Sequence, residues 1–267
     1  MDAGGVGTAP HRGGARNLCL SLLGRFLEIG IATKDIRASV EFYERLGFTQ
    51  AQTGDIWPHP YGVLTDGQVY IGLHQSRLDS PALTFVRPGI ADHARALEGA
   101  GVELSTVAIG DEVFNELAFQ DPAGNTVRLL EARTYSPVDR SLLEASGCGR
   151  FSGISLPAAN FERVNRFWQM LGLLPAEEES EPYQHLPLRS EGLALALHRP
   201  RFFAEPLLVF RDGAMAARLE RLRELDIGPF EPPPRGLDTN GNSLLQAPEG
   251  TVLLLLHDTG NLRQLTA

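Results

Sequence analysis

The sequence predicts an α+β fold in which four βαβββ units form two domains. Three observations lead to this prediction. The chain has 267 residues, enough for two ordinary domains, and its 43% hydrophobic and 21% charged residues are typical of a globular protein. Its first half is repeated in its second half at an offset near 125 residues. Within each half, short strands with period-two patterning alternate with amphipathic helices.

The repeat is clearest around the first helix of each copy. Asp35 in "TKDIRASVEFYERLGF" aligns with Asn160 in "PAANFERVNRFWQMLGL", and the glycines that follow the two helices align at the same offset. Further on, "FQDPAGNTVRLLEA" aligns with "LQAPEGTVLLLLHD". The repeat divides the chain into a flexible leader (1–25), a first domain (26–135), a linker (136–149), a second domain (150–258) and a tail (259–267).

Each element of the first copy follows from its local pattern. "EIGIAT" predicts a strand, and Asp35 predicts the N-cap of a helix that ends at Gly47. Strands follow around "FTQAQTG", "YGVLTDG" and "VYIGLHQ", the last two joined by a tight turn. After the strand "PALTFV", the pattern restarts with the helix "IADHARALEGAG", a short "VEL" strand and two strands around "DPAGN". Each copy is therefore β-α-β-β-β twice.

Charge and cysteine usage exclude several classes of function. A net charge of -9 argues against nucleic acid as a partner, because a phosphate backbone attracts basic surfaces. Cys19 and Cys148 lie far apart, so they indicate neither a disulfide framework nor a zinc site, and reduced thiols fit a cytoplasmic protein. The apolar run "LCLSLLG" in the leader is too short for a membrane span. The alternative to a cytoplasmic protein is a secreted one, in which this run would belong to a signal peptide. No phosphate-binding loop, nucleophile elbow or zinc-protease motif is present.

These patterns resemble the vicinal oxygen chelate superfamily, which includes glyoxalase I, bleomycin-resistance proteins, extradiol dioxygenases and fosfomycin-resistance enzymes. The residues that carry the resemblance are "TKDIRASVEFYERLGF", "IGLH" and "DPAGNTVRLLE" in the first copy, while the second copy is degenerate. The resemblance implies two glyoxalase-like domains, with helices outside and curved mixed sheets that form an open cup around a ligand. In this family each βαβββ unit supplies half of a cup. The two halves of one cup come either from the two units of one copy or from one unit of each copy.

The resemblance also implies where metal ligands would stand. In metal-dependent members, four strand positions supply them, and in the first copy these positions hold Glu28, Gly72, Ala82 and Arg128. In the second copy they hold Gly153, Ala196, Leu207 and Leu254. A divalent ion in a catalytic site needs about three N, O or S ligands, and either pairing of half-cups offers at most one. We therefore expect no metal and no other cofactor.

Glu28 and Arg128 are the two charged residues among the four ligand positions of the first copy. If both occupy ligand positions of one cup, a carboxylate–guanidinium ion pair would replace the chelate. The alternative is that Glu28 simply reaches solvent at the start of its strand.

Other polar and aromatic residues complete the candidate site. His74 and His198 match between the copies, and we favour a hydrogen-bonding role at a strand end over a shared metal site. Trp57, His59 and Tyr61 form either the wall of a ligand pocket or a loop packed by its own aromatic rings. Asn115 and Glu116 begin the seventh strand, and alternation does not say which reaches the cup. The candidate ligand-binding residues are Glu28, Arg128, Trp57, His59, Tyr61, His74 and Asn115.

The sequence thus predicts a metal-independent, bacterial-type cytoplasmic protein that binds a small organic molecule in the first-domain cup, without nucleic acid or membrane partners. A homodimer is compatible with the sequence. The alternative is an enzyme of the lyase, isomerase or dioxygenase type that acts on a small carbonyl or aromatic substrate. Glu28 would then serve as a metal ligand or catalytic base, although a nearby Arg128 would lower its pKa and weaken it as a base.

Overall fold

The computed structural model describes residues 22–53, 57–111, 113–131, 145–190, 192–228, 230–233, 237–239 and 241–258. The predicted leader up to residue 21, the predicted linker from 136 to 144 and the predicted tail lie outside the described residues. Leu23, which the sequence placed in the leader, is fully buried, and the first strand begins at Arg25. Cys148, placed in the linker, is also fully buried.

The first copy forms one eight-stranded sheet with the strand order β2-β3-β4-β1-β5-β8-β7-β6. Its elements are β1 (Arg25–Ala32), α1 (Ile36–Arg45), β2 (Thr49–Ala51), β3 (Tyr61–Thr65), β4 (Tyr70–His74), β5 (Ala82–Val86), α2 (Ile90–Gly99), β6 (Leu104–Ala108), β7 (Glu116–Gln120) and β8 (Thr126–Leu130).

The second copy repeats this architecture in the order β10-β11-β12-β9-β13-β16-β15-β14. Its elements are β9 (Arg150–Pro157), α3 (Phe161–Met170), β10 (Leu174–Pro175), β11 (His185–Ser190), β12 (Leu193–His198), β13 (Leu207–Asp212), α4 (Met215–Glu224), β14 (Phe230–Glu231), β15 (Ser243–Gln246) and β16 (Val252–His257). The predicted α+β class and the βαβββ units are confirmed.

The central strands settle how the half-cups pair. β1 runs parallel to β4 of its own unit and antiparallel to β5 of the next unit, and β9 is placed between β12 and β13 in the same way. The two units of one copy therefore join edge to edge into one sheet. Of the two pairings compatible with the sequence, the protein uses the one within each copy.

Helix α1 begins and ends where its sequence predicts. The carboxylate of Asp35 accepts a hydrogen bond from the backbone N–H of Ala38, and Gly47 follows the C-cap with a φ of +94°. Positive φ is accessible to glycine without a steric penalty, so Gly47 allows the chain to turn away from the helix. In α3, Asn160 caps the helix in the same way through the N–H of Arg163.

One hydrophobic core includes residues of both copies. Polar contacts cross between the copies reciprocally. The hydroxyl of Tyr43 on α1 donates to Glu249 of the second copy over 2.8 Å. The indole N–H of Trp168 on α3 donates to Asp121 of the first copy over 3.1 Å. We call this contact region the seam.

Strand alternation gives the first sheet two different faces. Ile29, Leu83 and Leu129 on β1, β5 and β8 belong to the shared hydrophobic core. Their neighbours in sequence, including Glu28 and Arg128, point to the opposite, concave face, and most of them are also buried. This concave face is the first cup.

The corresponding cup of the second domain is filled by its own side chains. A separate apolar cluster there consists of Tyr183, Phe203, Leu207, Val209, Leu254 and Leu256. Gly153 stands at the position of Glu28, so the second cup lacks that carboxylate.

Among the described residues, no helix combines the length and apolar character needed to cross a membrane.

Candidate functional site

Three residues in register form the floor of the first cup. Glu28 on β1 pairs with Thr84 on β5, and Thr84 pairs with Arg128 on β8. Neighbouring strands lie about 4.8 Å apart, so the backbones of Glu28 and Arg128 are separated by about 10 Å. Glu28 and Arg128 are 2% and 5% exposed, which excludes the alternative in which Glu28 reaches solvent.

The predicted ion pair between Glu28 and Arg128 is wrong, because Arg128 has a nearer carboxylate. Its Nε donates to Oε1 of Glu116 over 2.7 Å. Arg128 lies opposite Ala118 on β7, and Glu116 is two residues along the same face. A partner one strand away is within easier reach than one two strands away.

Glu28 instead belongs to the opposite wall of the cup. Its Oε2 accepts a hydrogen bond from the hydroxyl of Tyr61 over 2.8 Å, and its Oε1 lies 3.6 Å from Nε2 of His74. The carboxylate sits directly over Gly72, where an added Cβ would stand 2.4 Å from Oε1. The carboxylate of Glu28 therefore occupies the space that a side chain at residue 72 would need. Residue 72 is one of the metal-ligand positions implied by the resemblance.

His74 and His59 extend this wall towards the rim. Nδ1 of His74 and Nε2 of His59 share a hydrogen bond of 3.0 Å, so His59, His74, Glu28 and Tyr61 form a continuous chain of polar groups. Burial lowers the pKa of His59, and the nearby His74 and Arg128 lower it further, which favours its neutral form.

The matched histidine of the second domain behaves differently. His198 shares a hydrogen bond with Ser155 through Nδ1 and another with the carbonyl of Phe203 through Nε2. Burial lowers its pKa to about 4. The strand-end role predicted for both histidines thus describes His198, whereas His74 belongs to the cup.

Trp57 covers the cup. Its ring is 5.0 Å from His74 and 4.8 Å from Phe114, and the guanidinium carbon of Arg128 lies 5.1 Å from its centroid. The sequence left two roles open for this loop, the wall of a pocket or a loop packed by its own aromatic rings. The structure shows features of both, because the rings pack on one another and also line the cup.

Asn115 does not reach the cup. Its side-chain amide donates to Glu131 over 2.5 Å and accepts from the N–H of Gly110 over 2.8 Å. The side chain of its neighbour Glu116 lies on the cup face beside Arg128. The ligand-binding role predicted for Asn115 is therefore corrected in favour of Glu116.

Sequence reasoning missed Thr84 and Phe114. Thr84 is a fully buried hydroxyl in the middle of the apolar strand "ALTFV", a signal that was present in the sequence. Phe114 is 38% exposed and gave no such signal, because its contact with Trp57 joins distant parts of the chain.

Four buried polar atoms of this cup have no hydrogen-bond partner. They are Oε1 of Glu28, Nε1 of Trp57, Nε2 of His74 and Oγ1 of Thr84. Two of them, Oε1 of Glu28 and Nε2 of His74, lie 3.6 Å from each other. Leaving a buried polar atom without a hydrogen bond costs about 1–3 kcal/mol, so this cup concentrates polar groups that the fold itself does not satisfy.

A divalent metal does not fit the donors around this cup. The four positions implied by the resemblance offer one carboxylate, two residues without a donor atom, and an arginine. His59, His74 and Glu28 contact one another in a chain rather than facing a common point. Throughout the part of the chain that the structure describes, no group of three or more histidine, cysteine, aspartate or glutamate residues could hold a metal ion.

The second domain has a cavity of about 450 Å³ at the mouth of its filled cup. It is lined by residues 178–184, 201–203 and 237. Glu178, Glu179 and Ser180 of the acidic run "EEES" contribute part of this lining.

The fold and the first cup together define a two-domain protein of paired βαβββ units, with a polar cup in one domain and an apolar, self-filled cup in the other. Residues 25–129 match the sequence profile of the Glyoxalase/Bleomycin resistance protein/Dioxygenase superfamily. The first domain thus matches this superfamily in sequence, and the second domain repeats its fold, which confirms the resemblance seen in the sequence.

Solved structures with a similar fold include several ring-cleaving dioxygenases. Catechol 2,3-dioxygenase has a TM-score of 0.56 and 17% identity, with 87% of this chain and 87% of that chain covered. A variant of homoprotocatechuate 2,3-dioxygenase from B. fuscum has a TM-score of 0.57 and 15% identity, with coverage of 90% and 74%. At these identities the likeness shows the fold alone. A search of curated proteins finds no significant match.

Proposed function

We propose that the first domain binds a small organic molecule in its cup without a metal, and that binding is the activity of the protein. The observation that carries this proposal is the cluster of four buried polar atoms without hydrogen bonds in that cup. A small-molecule site combines apolar and aromatic walls with a few convergent polar groups. The first cup has such walls in Trp57, Tyr61 and Phe114.

The electrostatics of the cup favour a neutral, planar ligand. The positive charge of Arg128 is paired with the carboxylate of Glu116, which reduces its attraction for an anionic ligand. Glu28 is buried on the opposite wall, where its negative charge would repel an anion. The aromatic rings around Trp57 suit a flat molecule, since stacked and edge-on ring contacts add to the energy of burial.

The two tryptophans of the chain allow a direct test. Trp57 covers the cup and Trp168 lies at the seam, so Trp168→Phe leaves only the cup tryptophan and Trp57→Phe leaves only the seam tryptophan. Both variants are screened by thermal shift and fluorescence against a library of planar, neutral small molecules. We expect hits that raise Tm and change the emission of the Trp168→Phe variant alone.

The same screen has a clear contradicting outcome. Ligands that change the emission of Trp168 in the Trp57→Phe variant and leave that of Trp57 unchanged would place binding outside the first cup. A library without any hit in thermal shift would reject the binding function.

Metal analysis tests the other half of the proposal. Protein purified without chelators is expected to contain no stoichiometric transition metal, and added EDTA is expected to leave Tm unchanged. Stoichiometric zinc, nickel, manganese or iron that is lost in Glu28→Gln would contradict metal independence and support a metal-dependent enzyme.

An enzyme is the second candidate, and the chain of polar groups from His59 through His74 to Glu28 favours it. Histidine and carboxylate groups in contact are the usual means of moving protons at neutral pH. Any ligand from the screen should therefore be recovered after incubation and analysed by mass spectrometry. An unchanged ligand supports binding, and a product formed by the wild type and not by His74→Gln supports catalysis.

A further inference from the structure

The outer edge of β6 is the least protected edge of the two sheets. β6 is the last strand of the first sheet, and within the described part of the chain no strand pairs with its outer side. An edge strand presents backbone N–H and C=O groups that can pair with another strand. Natural proteins therefore usually keep edge strands short, charge them or interrupt them with proline.

The other three edge strands show such protection. β2 has three residues, including the polar Thr49 and Gln50, and β10 and β14 have two residues each. Pro175 is the second residue of β10, while Pro232 and Pro233 follow β14 directly. Proline has no N–H to donate, so it ends a ladder of hydrogen bonds. β6 has five residues and contains neither a charge nor a proline.

An apolar patch adjoins the edge of β6. Val107 in the strand is 55% exposed, and Ile109, Val113 and Phe114 in the loop that leads to β7 are exposed as well. They are four of the seven large hydrophobic side chains that are exposed among the described residues. Val113 folds back over the loop, since its Cγ2 lies 3.4 Å from where a Cβ of Gly110 would stand. We call these four side chains the β6 patch.

The second copy shows that the fold does not require this exposure. Leu104 in β6 and Phe230 in β14 pair with equivalent residues of the next strand, and this register aligns Val107 with Pro233. Pro233 is buried, whereas Val107 is exposed. The same edge is thus blocked in one copy and open in the other.

We propose that β6 pairs with β6 of a second copy of this chain, so that two first domains join edge to edge around a two-fold axis. Antiparallel pairing of this edge with itself uses the same surface on both copies. It leaves neither β6 edge open, so the assembly closes as a dimer.

The distribution of charge in β6 suits a second copy. Glu103 and Asp111 flank the uncharged segment 104–110. A two-fold axis at Ala108 would place residue 107 of each copy opposite residue 109 of the other, which gives two apolar cross-strand contacts. The same register places residue 103 opposite 113 and residue 111 opposite 105, so neither acid faces an acid. An unrelated partner would have to supply an uncharged apolar edge, which a second copy already has.

The bulge in β6 lies outside this contact. It interrupts the register with β7 between Leu104 and Thr106, and from Thr106 to Ala108 each residue faces one residue of β7. Bulges usually turn an edge away from other strands. Because this one is at the start of β6, the segment 106–110 around the proposed axis remains regular enough to pair.

The mass of the full chain in solution tests the proposal. In analytical ultracentrifugation, the wild type is expected to change from the mass of one chain to that of two as its concentration rises. Val107→Lys should raise the Kd of the dimer by about tenfold or more, because both apolar cross-strand contacts are lost. Leu174→Lys is the matched control, since Leu174 is 70% exposed on the edge strand β10, and it should leave the Kd unchanged.

Hydrogen exchange identifies the strand that pairs. Backbone amides of residues 104–110 should exchange more slowly in concentrated than in dilute wild-type protein, and Val107→Lys should abolish this difference. Far-UV circular dichroism confirms the fold of each variant. Ile109→Lys supplies the test if Val107→Lys does not fold.

Three results would overturn the inference. The first is a wild-type chain that keeps the mass of one copy at the highest concentration at which it stays soluble. The second is a dimer that Leu174→Lys weakens and Val107→Lys does not. The third is a dimer in which exchange of the β6 amides does not depend on concentration. None of these results depends on whether the first cup binds a ligand.

Discussion

At the residue scale, Gly72 determines where the carboxylate of Glu28 can lie. A Cβ at this position would stand between 2.4 and 2.6 Å from the carboxylate atoms of Glu28, far inside van der Waals contact. Glu28 is buried and bonded to Tyr61, so it has little freedom to move aside. The absence of a side chain at residue 72 is therefore a condition for the observed cup.

Gly72→Ala should destabilise the protein by about 1–3 kcal/mol, the usual cost of overpacking a buried site. Urea unfolding followed by circular dichroism measures the change. Gly99→Ala is the control, because nothing lies within 4 Å of an added Cβ there and the residue is in helix α2. Alanine has the higher helix propensity, so this control should be neutral or slightly stabilising.

A double variant identifies the cause. In a Glu28→Ala background the clash is absent, and Gly72→Ala should then cost much less than in the wild type. Equal costs in the two backgrounds would show that the carboxylate does not occupy the space over residue 72.

His198 should make stability depend on pH. Its pKa falls from 6.5 in the unfolded chain to about 4 in the folded protein, because burial disfavours the charged ring. Between these values the unfolded state binds the proton and the folded state does not, so the free energy of unfolding decreases as pH falls from 6.5 to about 4. The loss is at most about 3 kcal/mol.

Urea unfolding across this pH range, compared between the wild type and His198→Gln, isolates the contribution of this residue. The variant should show a shallower dependence on pH, although other buried histidines with lowered pKa, such as His185, act in the same direction. Identical slopes would mean that His198 is not held neutral by the fold.

The sequence showed which residues belong to the cup more often than it showed which residues they contact. Glu28 stood out as an acid in an apolar strand, and its burial confirms that signal. Its contact with Tyr61 and His74, instead of Arg128, depends on strand spacing and side-chain reach, which the sequence does not contain. The choice between Asn115 and Glu116 required the register of β7 against β8.

At the element scale, the first helix of each copy starts with the same device. Asp35 and Asn160 each accept a hydrogen bond from a backbone N–H three residues further on. We expect Asp35→Ala and Asn160→Ala to lower the free energy of unfolding by similar amounts, about 1 kcal/mol each. Chemical denaturation checks both.

A comparison of two substitutions at residue 35 separates the effect of the cap from the effect of the charge. Asp35→Asn should retain most of the stability, because either side chain can accept the bond. A loss in Asp35→Asn as large as that in Asp35→Ala would indicate that the charge at residue 35, rather than the cap, stabilises the helix.

Elements were predicted well because their signals are local. The N-cap aspartate and the glycine after α1 act within one turn, and strand alternation fixes which side chains share a face. The pairing of the half-cups could not be predicted in this way. It depends on the contact between β1 and β5, which are separated by some fifty residues whose path the local pattern does not specify.

At the scale of the whole molecule, the shared hydrophobic core couples the two domains. Core residues of both copies form one cluster, and polar contacts from both copies cross the seam. We therefore expect one cooperative unfolding transition. In Trp57→Phe, urea curves from Trp168 fluorescence and from circular dichroism should have the same midpoint.

Independent domains would give a different result. A circular dichroism curve with two steps, or a Trp168 transition that precedes it, would show that the seam opens before the sheets unfold.

The duplication and the resemblance to the superfamily were evident from sequence because the repeat preserves glycines, helix caps and turns. The different fates of the two cups were evident only in part. Leu207 and Leu254 are apolar residues at two of the ligand positions of the second copy, but the packing of Tyr183 and Phe203 against them depends on loops whose paths the sequence does not specify.

The seam has a consequence for the history of the chain. Where Tyr43 meets Glu249, the other copy has Ala123 at the matching turn position, and where Trp168 meets Asp121, the other copy has Ala247. Two first domains, or two second domains, placed together in this way would not offer either donor the acceptor position that it uses here. The copies have become complementary and are no longer interchangeable, so one could lose its cup while the other kept a polar site.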